Sequence, residues 1–290
     1  MKFKLKACSI YEQGPRPKQE DSIYPPHNNF RNSDRLFILC DGMGGHIGGE
    51  IASNSVCESL AKSIQQSCPD PEGAFTDEDF KNALISAFNE LDKLDNGETK
   101  KMGTTLTFLK FHEDGVTIAH IGDSRVYHIR PGISSETTKI LFQTTDHSLV
   151  NDLLKVGEIT PEEAKNFSQK NIITRAIQPN TERRTRADLC KTSDVKAGDY
   201  FMLCSDGILE QMEENNLKYI FSERGGEIEN KADMITKLTM NNRDNHSAWI
   251  IKVESVFDTD EANNVKQINE HDDTNTESNG FWGFVKNIFK

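Results

Sequence analysis

No two cysteines in the chain have the CxxC spacing of a zinc ribbon or a thioredoxin-like redox site. The six, Cys8, Cys40, Cys57, Cys68, Cys190 and Cys204, are scattered, and Cys40 and Cys204 stand inside apolar runs, where a free thiol behaves as a small hydrophobe. Long hydrophobic runs are also lacking. No stretch approaches the ~20 apolar residues of a membrane span, and the amino-terminal MKFKLKACSI has no apolar core of signal-peptide length. A reduced cytoplasm is therefore the expected compartment. Positive charge is scarce: 34 Lys and Arg stand against 46 Asp and Glu, a net charge of -12. That balance argues against nucleic acid as a partner and leaves the surplus of carboxylates that a site for hard divalent cations needs. Hydrophobic residues make up only 35% of the 290, yet they fall in separated, periodic runs. A chain of this length suffices for one large core or two modest ones.

Apolar or alternating runs at 36–40, 104–111, 116–121, 200–204 and 248–253 read as strands. Helical spacing links Ala52, Val56, Leu60 and Ile64, then Phe80, Leu84, Phe88 and Leu91, and later Ile228, Ala232, Ile235 and Leu238. Thr160-Pro161-Glu162-Glu163 announces another helix through an N-cap threonine, proline at the first helical position and a glutamate that closes a capping box. Strands come in clusters and helices in pairs, without strict alternation, so the expected class is α+β with mostly antiparallel sheets. From about residue 256 to 280 the composition turns polar and acidic, which predicts a disordered linker. It leads into FWGFVKNIFK (281–290), where Phe281, Val285, Ile288 and Phe289 are near helical spacing. Ten residues do not hold a helix alone in water. The tail is suited to docking on a partner protein, on its own domain or, less well, on a membrane surface.

The strand ending LFILC runs into DGMGGHIGGE (41–50), a carboxylate followed by five glycines in eight residues. Glycine costs entropy on folding and is spent where chains must approach closely. The pattern recurs: Asp123 follows Ile121-Gly122, Asp206 follows YFMLC by two residues and precedes Gly207, Asp244 precedes the run at 248, and Glu20-Asp21 stand near the amino terminus. A single Asp-Gly is usually a turn. Three aspartates, Asp41, Asp206 and Asp244, each abutting an apolar run, point instead to convergence at one sheet edge. Clustered carboxylates raise one another's pKa unless a cation compensates them, and an all-oxygen set suits Mg²⁺ or Mn²⁺ better than zinc. The glycine-rich stretch offers neither GxxxxGK[ST] nor GxGxxG, so a nucleotide-binding loop is poorly supported.

With these residues in view the chain resembles the metal-dependent protein phosphatases of the PPM type, the type 2C serine/threonine phosphatases, in their compact bacterial form. The resemblance rests on RPKQED (16–21), DGMGGHIGGEIAS (41–53), MGTTL (102–106), IGDSRVY (121–127), TTDHSLVNDLLKVGEITPEEA (144–164), NIITRAI (171–177), LCSDGILE (203–210) and RDNHSAWII (243–251), in the family's order over residues 1–255. It implies a four-layer α-β-β-α sandwich with a metal centre at one end. Asp41 would bridge two Mn²⁺ or Mg²⁺ ions and Gly42 would lend its carbonyl. Asp206 and Asp244 would complete the first site, Glu20 and Asp21 would surround the second, and Asp123 with Asp206 would hold a third, weaker ion. Arg16 would grip the phosphate. The implied reaction is one-step hydrolysis of phosphoserine or phosphothreonine in protein substrates by a metal-bridging hydroxide, with no phosphoenzyme.

Where many relatives carry a histidine after the DG, this chain has Met43, as bacterial members do, so the general acid is unassigned. His46 and His147 read as architecture of their loops. Ser124 and Arg125 read as orienting the aspartate they follow. Residues 145–175 resemble the variable flap beside the active site, here with KNFSQKN (165–171) in place of the usual His-Pro form. The rival reading is a catalytically weak module of the same fold that recruits partners through its tail. Retention of every carboxylate at a metal position speaks against that rival. A monomer is expected.

Overall fold

The computed structural model describes residues 1–44, 48–95, 97, 102–165, 167, 169 and 172–257. His46, residues 166, 168, 170 and 171 of the flap-like segment, and the expected linker and tail beyond residue 257 lie outside the described residues. Two antiparallel sheets lie face to face. The first holds β1 (Lys2–Glu12), β7 (Arg125–Arg130), β8 (Lys139–Gln143), β10 (Tyr200–Cys204) and β11 (His246–Phe257), in the order β1-β11-β10-β7-β8. The second holds β2 (Asp21–Tyr24), β3 (Leu36–Met43), β5 (Leu106–His112), β6 (Gly115–Ile121) and β9 (Asp188–Thr192) in that order, with β4 (Gly103–Thr104) paired to β3. Helices α1 (Gly48–Ser67) and α2 (Asp77–Asp92) cover the second sheet. Helices α5 (Asp206–Leu209), α6 (Glu214–Phe221) and α7 (Ile228–Thr239) cover the first. Two short helices, α3 (Leu149–Val156) and α4 (Pro161–Lys165), lie within residues 145–175, the segment likened above to a flap. The result is the expected α-β-β-α sandwich, and no described helix is long and apolar enough to cross a membrane.

The central strands read as unbroken apolar runs because both their faces are buried. In β3, Phe37 and Leu39 enter the core between the sheets, while Leu36, Ile38 and Cys40 pack against α1 and α2. In β11, Trp249, Ile251 and Val253 point between the sheets and Ala248 and Ile250 toward the outer helices. Trp249 is fully buried and meets the edge of Phe37, with ring centroids 5.3 Å apart. Truncating such an aromatic costs about 3–5 kcal/mol.

The strand registers bring the aspartates to one end. Asp21 and Asp41 are cross-strand partners in β2 and β3. Strands β3 and β6 both run antiparallel to β5, so the turn after β6 that carries Asp123 lies at the same end as Asp41. Cys204 pairs with Ala248, which sets Asp206, just past β10, beside Asp244, just before β11. Apolar patterning does not pick out β1, β2, β7, β8 or β9. Val256 and Phe257, which composition assigns to the linker, instead close β11 by pairing with Phe3 and Lys2. The Thr160 capping box forms, with Glu163 Oε2 accepting from Thr160 N at 2.8 Å, but the helix it starts is only five residues long.

Candidate active site

Asp41 is the centre of the acidic cluster. Burial pushes its carboxyl well above the ordinary carboxylate range, and Asp21, Asp206, Asp123 and Asp244 push it further in the same direction. Asp21 is 2% exposed, and burial raises it to about 7 despite the Ser247 and Ser205 hydroxyls. Asp123 is likewise raised to about 7, by burial and then by Asp206 and Asp146. Burial and the neighbouring Asp244 raise Asp206, whose carboxyl lies within hydrogen-bonding reach of that of Asp41. Glu20 is raised by burial at the rim, with Arg16 opposing the shift. The structure thus brings together Glu20, Asp21, Asp41, Asp123, Asp206 and Asp244 and sets Gly42 among them. Asp21 Oδ1 and Asp123 Oδ1 are buried without a hydrogen-bond partner. Unpaired carboxylate oxygens in a buried all-oxygen cluster are the donor set a hard divalent cation satisfies.

The scaffold behind the cluster is polar and was not evident from spacing. Glu20 is locked by its backbone: its N–H donates to Asn245 Oδ1 at 2.8 Å, and its carbonyl accepts from Gly42 N at 3.0 Å and from Ser53 Oγ at 2.6 Å. Asn245 Nδ2 also donates to the carbonyls of Gln13 and Lys18, both at 2.8 Å, and so ties down the loop that carries Arg16. Thr105 Oγ1 accepts from Asp41 N at 2.9 Å and bonds Ser124 Oγ at 2.8 Å. Ser205 Oγ donates to Asp21 Oδ2 at 3.0 Å. Ser124 therefore braces Asp41 rather than Asp123, and Arg125 makes a two-pronged pair with Asp146, at 2.7 Å on each oxygen.

The glycines serve packing as well as approach. A Cβ on Gly42 would stand 2.2 Å from the Gly49 carbonyl oxygen and 2.6 Å from that of Glu20. A Cβ on Gly49 would stand 2.6 Å from Glu20 Oε1. The first turn of α1 can press on β3 and Glu20 only because both positions are bare. Gly207 is bare for the same reason, with Asn245 O 2.0 Å from its would-be Cβ. Met43 pairs with Gly103 across β3 and β4. Arg16, half-exposed at the mouth, donates through Nη2 to Asp244 Oδ2 at 2.5 Å.

A second group lies behind the turn that bears Asp123: ligand-type atoms of His120, His147 and Asp188 fall within 4.8 Å of one another. His147 Nε2 is 3.1 Å from Asp188 Oδ2, and its ring stacks on His120 with centroids 4.4 Å apart.

A family model described as protein phosphatase 2C matches residues 18–249. The serine/threonine protein phosphatase PstP of Mycobacterium tuberculosis is 34% identical over 207 residues, covering 70% of this chain and 36% of the length of PstP. The chain thus matches about a third of that relative. The protein phosphatase PhpP of Streptococcus pneumoniae is 36% identical over 198 residues, covering 68% of this chain and 76% of PhpP. Among solved structures, the crystal structure of M. tuberculosis PstP superposes with a TM-score of 0.70 at 28% identity, covering 87% of this chain and 99% of that one. A structure of the PstP catalytic domain in complex with two manganese ions gives 0.65 at 28% identity, with the same coverage.

Proposed function

The chain belongs to the protein phosphatase 2C family, and from that premise we propose that it hydrolyses phosphoserine and phosphothreonine in protein substrates, dependent on Mn²⁺ or Mg²⁺. The observation that carries this reading is the convergence of Asp21, Asp41, Asp123, Asp206 and Asp244 at one end of the sandwich, with buried carboxylate oxygens unpaired. Asp41, Asp206 and Asp244 would hold one cation and Asp41 with Glu20 and Asp21 a second, with the Gly42 carbonyl as a further donor beside them. Asp123 with Asp206 would hold a third, weaker one. Bound there, the cations supply Lewis acidity, offsetting carboxylate and phosphoryl charge and bringing a water molecule's pKa toward neutrality for direct attack on phosphorus.

The chain's own residues do the rest. Thr105 and Ser205 aim Asp41 and Asp21. Asn245, Gly42 and Ser53 fix Glu20. Arg16 offers a fork that takes two phosphoryl oxygens at once, and its bond to Asp244 keeps it at the mouth until substrate arrives. One-step hydrolysis is supported by the lack of an activated protein nucleophile among the described residues of this cluster. The Cys40 and Cys204 thiols are buried and pushed up, Cys204 to about 12. The Ser205 hydroxyl is buried and spends its proton on Asp21.

The test is phosphate release from a phosphothreonine peptide by metal-stripped protein with and without Mn²⁺, beside Asp206→Asn. The expected result is turnover that needs the ion and falls at least ~100-fold in the variant. A folded, Mn²⁺-replete wild type without turnover overturns the proposal.

A further inference from the structure

Among the described residues no side chain hydrogen-bonds the Asp123 carboxylate: its own backbone amide lies within its reach, and its Oδ1 is buried with no partner. Its aim therefore depends on the backbone turn at Gly122, which has φ +104 and where a Cβ would fall 2.6 Å from Thr105 Cγ2. That turn is gripped twice by one residue. His147 N donates to the Gly122 carbonyl at 2.9 Å, and Gly122 N donates to His147 Nδ1 at 3.0 Å.

The second bond settles the histidine's tautomer. A backbone N–H only donates, so Nδ1 holds a lone pair and the ring proton sits on Nε2. Nε2–H then donates to Asp188 Oδ2 at 3.1 Å; Arg175 Nη1, which only donates, stands 3.2 Å from that same Nε2 and spends its N–H on Asp188 Oδ1 at 2.9 Å instead. The same bookkeeping argues against an ion at His120, His147 and Asp188. Ligation through His147 Nε2 would need a proton on Nδ1, where it would face the Gly122 N–H. His120 helps by stacking on the ring and spending its own Nε2–H on the Thr145 carbonyl at 2.9 Å.

His147 also ties together the two ends of the flap-like segment in which it lies. Its carbonyl accepts from Thr174 N at 2.8 Å, the adjacent Ser148 bridges Ile173, and Arg175 ends that segment. We infer that Asp188 and His147 form a positioning pair that sets the Asp123 turn and couples it to the flap. Asp188 holds the imidazole proton on Nε2, and the free Nδ1 lone pair holds the Gly122 amide. The inference rests on Asp123 being a cation ligand, as proposed above.

The test is Mn²⁺ titration of metal-stripped full-length protein by calorimetry, with NMR of the His147 ring nitrogens. In the wild type, the Nε2-protonated tautomer is expected. Asp188→Ala should weaken the weakest Mn²⁺ site about tenfold or more, the range for loss of a residue supporting a metal ligand, and leave the tighter sites unchanged. Asp188→Asn keeps an oxygen to accept from Nε2–H and should restore most of the loss. Should Asp188→Ala fail to fold, Arg175→Gln should show the same site-selective weakening in smaller degree.

A wild-type isotherm in the alanine variant, a proton on Nδ1, or Zn²⁺ captured by His147 would each overturn the inference. None of these readouts needs turnover. An inactive wild type would defeat the phosphatase proposal alone, and full activity with an unaltered isotherm in the alanine variant would defeat this one alone.

Discussion

Arg16 has a choice of anions. Its guanidinium takes Asp244 Oδ2, and under the proposal above a substrate phosphoryl group would compete for the same donors. Arg16→Lys keeps the charge but gives up the planar fork. Its kcat/KM toward a phosphothreonine peptide is expected to fall roughly 10–100-fold, with the loss mostly in KM and the Mn²⁺ dependence unchanged. A lysine variant as efficient as wild type would remove Arg16 from substrate contact. At this scale the sequence spoke unevenly. Asp41, Asp206 and Asp244 are legible because each follows or precedes a local apolar run. Asn245, Ser53 and Thr105 are not, because their partners are distant: Glu20 is 225 residues from Asn245 and 33 from Ser53, and Asp41 is 64 from Thr105. Polar residues that act through long-range hydrogen bonds leave no periodic trace.

At the scale of elements, the contact between α1 and β3 is a close joint of the site. Gly49→Ala drives a Cβ to 2.6 Å from Glu20 Oε1 and 2.9 Å from the Gly42 carbonyl carbon. The neighbour that can yield is the Glu20 side chain. The variant is expected to lose about 1–3 kcal/mol in urea unfolding and to bind Mn²⁺ more weakly; wild-type values for both would show that the joint has slack. Strands β3, β5, β6, β10 and β11 announce themselves because helices or the opposite sheet cover both their faces. β8 and β9 escape notice as part-exposed edges whose short apolar stretches are bounded by Lys139 and Gln143 and by Asp188 and Lys191. β7 escapes for a different reason. Its His128 points into the protein, 2% exposed, where Asp199 bonds it at 3.0 Å and Phe201 stacks on it at 4.3 Å. A hydrophobicity pattern counts that residue as surface.

The whole molecule concentrates acid at one end of a rigid sandwich, and that arrangement has a measurable cost when no cation is bound. Asp21 and Asp123 have folded pKa values of about 7 against an ordinary 3.8. Their protonation favours the folded state; the contribution is complete below the unfolded value and is lost as pH rises through the folded one. Metal-stripped protein should therefore melt higher at about pH 5.5 than at about pH 8, and Mn²⁺ should raise Tm more at the higher pH, because a ligand of the folded state stabilises it by mass action. A scanning calorimetry trace that is flat between those conditions, or reversed, would contradict this. The topology carries one more consequence. Strand β11 lies between β1 and β10, so β1 has no strand partner among the described residues until β11, more than 230 residues later, is in place. Asp244 arrives just ahead of that same strand. A chain cut before β11 lacks both the middle of a sheet and a corner of the acidic cluster, so the fold and the site are completed by the same segment.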